Sequence, residues 1–163
     1  MMQDHAGLRI VVVEDEALIV MDLELMIETE GHRMVADAPS MRVLRALDTD
    51  LEVDVAFVDL HLAEGSSGLD AADYIRATWP EALIVFVTAN PRMLLPEIER
   101  GDAVVPKPFS TGVVEAVLAF LHGGIKAPPP LVNAPNGFYM RPDLEARLGY
   151  RRPAAPQYVR RTD

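Results

Sequence analysis

Apolar runs recur along the chain, and each is broken by acidic or polar residues where it ends. Leu8–Val13, LRIVVV, and Ala82–Val87, ALIVFV, are continuous enough to read as strands buried on both faces. Val53–Val58, VDVAFV, has the β-branched content of another, and His32–Ala38 and Ala103–Val105 supply two more. Helical periodicity fills the intervals. ALIVMDLELMIETEG predicts a helix with Leu18, Met21, Leu25 and Ile27 on its apolar face; acidic residues at its start and Gly31 at its end suit the two termini. Ser40 is placed to cap MRVLRALD, with Val43, Leu44 and Leu47 on one side. LDAADYIRAT predicts a third helix, stopped by Pro80. Arg92–Arg100 leaves room for a fourth, but Pro96 removes a backbone donor, so that helix is expected to be short, irregular or mobile. Ser110 caps a last helix, TGVVEAVLAFLH, which Gly123-Gly124 is expected to end.

Strand and helix alternate five times with short connections. This pattern predicts an α/β fold, a doubly wound five-stranded parallel sheet flanked by helices, with a C-terminal tail. The compact domain is expected over 1–124 and a proline-rich linker, IKAPPPLVNAPNG, over 125–137. A basic tail over 138–163 follows, either disordered or docked through a short helix at 142–149, with Phe138, Tyr139, Leu144, Leu148 and Tyr150 as anchors.

Charge separates the same two parts. Residues 1–124 hold eight Lys/Arg and twenty-two Asp/Glu, a balance of −14; residues 125–163 hold seven and three, a balance of +4. An acidic body is a poor surface for nucleic acid, since phosphate contacts need cations, and the tail has no room for a recognition-helix pair. It suits a divalent metal or a basic partner. No cysteine is present, which excludes disulfides, thiolate metal sites and cysteine nucleophiles. Neither a signal peptide nor an apolar run long enough to span a bilayer is visible, so a cytoplasmic protein without membrane association is expected.

Candidate chemistry lies where the strands end. In an open parallel sheet, ligands collect outside the carboxyl ends of the strands. Glu14 and Asp15 follow the first strand, Asp59 the third, Thr88 the fourth and Lys107 the fifth. Carboxylates gathered in one small site repel one another unless a cation sits among them, and oxygen ligands of this type suit magnesium. A lysine and a hydroxyl aimed at the same point complete a pocket for a phosphoryl group. A carboxylate can itself be the nucleophile, giving an aspartyl phosphate.

This order of residues, Glu14/Asp15, Asp59, Thr88 and Lys107-Pro108 over 8–124, resembles the receiver domain of bacterial two-component response regulators. The resemblance implies that Asp59 accepts phosphate from the phosphohistidine of a sensor histidine kinase or histidine phosphotransfer protein. It implies Mg2+ bound by Asp15, Asp59 and the backbone carbonyl of His61, with Glu14 acting through a water. Lys107 would pair with Asp59 and then with the phosphoryl group, and Thr88 would report its arrival. The aromatic residue common three positions before the lysine is here Val104, the proline common four after the acceptor is Ala63, and the Asp59–Gly68 loop is longer than usual. Phe109-Ser110-Thr111-Gly112-Val113-Val114 is similar, in part, to the "FAT GUY" motif of a mostly stand-alone subclass associated with stress signalling.

The reading that follows is a response regulator, a phosphoacceptor catalysing only its own phosphotransfer and dephosphorylation. It would act on an unidentified downstream protein without a DNA-binding output domain, through 92–100, the fifth strand, the last helix or the tail. Two rivals differ in class. A pseudo-receiver would bind partners without phosphorylation, against the intact acceptor and lysine. A magnesium-dependent phosphohydrolase would need a second acid two residues after the nucleophile, where His61 stands.

Overall fold

The computed structural model describes residues 7–89 and 98–153. Five strands, β1 (Arg9–Val13), β2 (Arg33–Ala38), β3 (Val55–Asp59), β4 (Leu83–Thr88) and β5 (Ala103–Pro106), pair in parallel in the order β2-β1-β3-β4-β5. The chain moves from β1 to β2 on one side and then returns past β1 to β3. This reversal places helices on both faces and opens a crevice at the carboxyl ends of β1 and β3.

Burial follows the pleat. Ile10, Val12, Val55, Phe57, Val85 and Val105 face one core with α1 (Ala17–Thr29) and α4 (Thr111–Lys126). Val11, Val13, Ala56, Val58, Ile84, Phe86 and Val104 face the other with α2 (Met41–Ala46) and α3 (Gly68–Thr78). Successive side chains point to opposite faces, and both faces are covered, which is why these strands are apolar throughout. The Ser40, Ser67 and Ser110 hydroxyls accept from Val43, Leu69 and Val113 N–H groups and so start α2, α3 and α4.

Two sequence expectations change. First, the expected inner face of α1 is largely its outer one. Leu18, Met21 and Leu25 are 76%, 63% and 68% exposed, whereas Leu23 and Ile27 are buried with Ile19, Val20 and Met26 packed alongside. The helix carries two apolar stripes, and periodicity alone does not say which meets the sheet. Second, Gly123-Gly124 does not end the last helix, which continues to Lys126. A Cβ on Gly124 would lie 2.9 Å from Leu148 Cδ2 and one on Gly123 3.2 Å from Pro130 Cα, so the two glycines make room for the tail.

The tail, expected to be either disordered or docked through a short helix, packs on the domain over its described residues. It adds β6 (Tyr139–Met140) antiparallel to β5, with Val104 opposite Tyr139, and then α5 (Pro142–Arg147). Phe138, Leu144 and Leu148 are buried in the α1/α4 core, and Phe120 meets Phe138 and Tyr150 edge-on at 6.0 and 4.9 Å. Tyr139, by contrast, stays half exposed. Gly149, at φ +67°, ends α5 in the left-handed conformation that glycine adopts at least cost. Of the helix expected over 92–100, residues 92–97, including Pro96, lie outside the described residues; Ile98–Arg100 form a single 3-10 turn. No helix among the described residues is long and apolar enough to cross a membrane.

Candidate functional site

Strand register sets the site. Val13 aligns with Val58, Asp59 with Val87, and Thr88 with Pro106, so the last residues of β3 and β4 and those just beyond β1 and β5 reach one rim. Lys107 Nζ donates to Glu14 Oε2 and to Asp59 Oδ2, both at 2.9 Å. Asp59 Oδ1 accepts from the His61 N–H at 3.1 Å, and Glu14 Oε1 from the Glu16 N–H at 3.1 Å. Lys107 N–H donates to the Thr88 carbonyl at 2.7 Å, which ties the ends of β4 and β5 together beside the ammonium. Lys107 is flanked by Pro106 and by a cis bond to Pro108.

Glu14, Asp59 and Thr88 are buried polar residues, while Asp15 and His61 are exposed. Burial pushes the Glu14 carboxyl up to about 7, against the Lys107 ammonium and the Glu16 N–H, with Asp59 adding to the rise. For Lys107, burial works against the charge, but its bonds to Asp59 and Glu14 prevail and hold the ammonium above its ordinary range.

One carboxylate oxygen from each of Glu14, Asp15 and Asp59 lies within 4.8 Å of the others. Three hard oxygen donors with a single lysine among them fit a divalent cation such as Mg2+. The sequence missed the direct Lys107–Glu14 bond, since the two residues are 93 positions apart. It also gave no sign of what brings the Asp59–Gly68 loop back onto β3. Gly68 N–H bonds the Leu60 carbonyl at 2.9 Å, and a Cβ on Gly68 would stand 2.0 Å from the Asp59 carbonyl oxygen, so only glycine fits there.

Beside the rim, Ile19, Asp22, Met26, Ala89, Lys107, Pro108 and Phe109 line a groove of about 390 Å³.

Comparison with known proteins gives one family. The model of the response regulator receiver domain matches residues 10–118. Phyllosphere-induced regulator PhyR of Methylorubrum extorquens is 35% identical over 112 residues, which cover 68% of this chain and 42% of that protein. The solution structure of the Erythrobacter litoralis PhyR response regulator REC domain is 26% identical with a TM-score of 0.65, covering 78% of this chain and 98% of that one. The crystal structure of anti-anti-sigma factor PhyR from Bartonella quintana is 31% identical with a TM-score of 0.59, covering 71% and 47%. The chain therefore spans less than half the length of the two longer PhyR proteins.

Proposed function

The chain belongs to the response regulator receiver domain family, and on that premise we propose that Asp59 accepts a phosphoryl group from the phosphohistidine of a sensor histidine kinase or histidine phosphotransfer protein. Receiver domains are phosphoacceptors rather than classical enzymes. The observation that carries the reading is the bridge of Lys107 Nζ between Glu14 and Asp59 at 2.9 Å each, at the ends of parallel strands.

In the proposed step an Asp59 carboxylate oxygen attacks phosphorus as the P–N bond to the donor imidazole breaks. The imidazole leaves with the electron pair, and Asp59 becomes an acyl phosphate. Such a transfer asks chiefly for positioning and charge neutralisation. Lys107 contributes a half-buried ammonium already in contact with the acceptor and passes to the phosphoryl oxygens afterwards. Asp15, Asp59 and the His61 carbonyl would hold Mg2+, with Glu14 acting through a water, and the ion would supply further neutralisation at the phosphoryl oxygens. Thr88, at the end of β4, turns toward the new group. Hydrolysis of the acyl phosphate at the same residues returns the protein to its starting state.

The exposed Leu18, Met21 and Leu25 of α1, next to the groove at Lys107 and Phe109, suit the apolar side of a donor helix. Output is assigned to contacts with a protein partner. Treatment with acetyl phosphate and Mg2+, or with candidate kinases, is expected to add one phosphoryl mass to the wild type and none to Asp59→Asn. A wild type that no donor labels would instead favour a binding module that uses the fold without phosphorylation.

A further inference from the structure

An edge strand presents backbone groups of the kind that recruit another strand, and β5 lies beside the edge of the parallel sheet. Here β6 covers only part of it, pairing with Ala103 and Val104. Four features hold this cover in place. Phe138 is buried beside Phe120. Leu148 fills the slot left by Gly124. The Arg141 N–H donates to the Asp102 carbonyl at 3.0 Å, and the Arg141 guanidinium donates to the carbonyls of Glu99 and Gly101 at 3.0 and 3.2 Å. Between α4 and β6 lies a connection, 127–138, with prolines at 128, 129, 130 and 135.

The seat of this cover adjoins the two segments that leave the Asp59 site. Gly137 lies against Pro106, the residue before Lys107; a Cβ on it would be 3.6 Å from Pro106 Cγ. Glu99 and Gly101, whose carbonyls Arg141 grips, close the connection that begins after Thr88. The tail therefore rests on the residue before Lys107 and on the end of the connection that follows Thr88.

We propose that the β5 edge is a strand-docking site, filled by the chain's own Phe138–Arg141 and opened when Asp59 is phosphorylated, and that its partner is an extended protein segment with an aromatic residue three positions before an arginine. The occupant itself defines that chemistry: backbone pairing to Ala103 and Val104, a ring against Phe120, and a guanidinium on two carbonyls. The opening step rests on the phosphoacceptor reading of Asp59; the docking surface does not.

The test uses the full chain and a fluorescent peptide with the sequence of residues 134–150. The tethered tail has the advantage of high effective concentration, so the wild type is expected to bind the peptide weakly. Arg141→Ala is expected to bind it about tenfold more tightly, and a peptide with alanine at the phenylalanine position to lose that gain. Mg2+ with beryllofluoride, a phosphoryl mimic, is expected to raise peptide affinity of the wild type in the same direction and to speed hydrogen exchange at Phe138 and Arg141. If Arg141→Ala shows faster tail exchange but no tighter peptide binding, the docking site is overturned. Beryllofluoride that slows exchange around Asp59 yet leaves the tail and the peptide unaffected overturns the opening step alone. If no fluoride adduct forms, the Asp59 reading fails together with the opening step, and the Arg141→Ala result decides the docking surface. Dimers formed by tail exchange would assign the edge to a second copy and overturn the partner assignment.

Discussion

At the amino end of the sheet, Asp54 is ringed by donors. Its Oδ2 accepts from the Arg9 N–H at 2.8 Å and Nε at 3.0 Å, and its Oδ1 from Arg9 Nη2 at 3.2 Å and Lys126 Nζ at 3.3 Å. Burial opposes the charge there, but the Arg9 and Lys126 contacts outweigh it and hold the carboxyl below its ordinary range. At the carboxyl end, Glu14 and Asp59 share Lys107 with the Asp15 carboxylate close by, and burial drives Glu14 up to about 7. The same sheet thus keeps one acid fully neutralised and leaves a group of acids short of positive charge. The first arrangement stabilises the fold; the second fits a divalent cation and, under the proposed function, an incoming phosphoryl group.

The largest expected effect is complete loss of phosphoryl labelling in Asp59→Asn, read by mass spectrometry, while Asp54→Asn stays labelled. Next comes stability, where the two ends should respond with opposite sign. Asp54→Ala is expected to cost about 2–3 kcal/mol by removing several charge-assisted hydrogen bonds. Glu14→Gln is expected to raise the metal-free stability at pH 8 by on the order of 1–3 kcal/mol, since it removes a buried charge the site disfavours. Denaturant titration measures both, and a destabilised Glu14→Gln would break the contrast.

The pH dependence follows from the two shifts. Glu14 is raised, so the folded state binds more protons than the unfolded one between the ordinary carboxylate value of 4.5 and about 7. Its contribution is full below that window and is lost as pH rises through it. Asp54 is lowered, so its contribution is present above 3.8 and is lost as pH falls through its folded value. Added Mg2+ is therefore expected to raise Tm more at pH 8 than at pH 5.5, because the ion requires the carboxylates ionised. Equal shifts at both pH values would remove Glu14 from the metal's surroundings. The smallest effect is that of Lys126→Ala, about 0.5 kcal/mol and reduced by salt, as for a partly exposed pair.

The strands were legible because burial on both faces leaves a plain trace, an apolar run closed by a polar residue. The rim was legible for the same reason: parallel strands bring their carboxyl ends to one edge, so Glu14, Asp15, Asp59, Thr88 and Lys107 could be grouped from their places after the runs. Less could be read where a residue type serves two purposes. Gly123-Gly124 looks like a helix stop, yet these glycines admit Pro130 and Leu148 within a helix that continues to Lys126. The stripes of α1 were indistinguishable until the sheet met one of them.

By itself, then, the amino-acid order determined the alternation of strand and helix and the set of acids and the lysine that close it, since both depend on near neighbours in the chain. Tertiary structure alone decided which side of α1 faces outward, that Lys107 bridges Glu14 as well as Asp59, and that the segment after α4 returns to β5. Each of these rests on contacts between residues far apart in the chain, where the outcome depends on which surfaces remain uncovered once the sheet has formed.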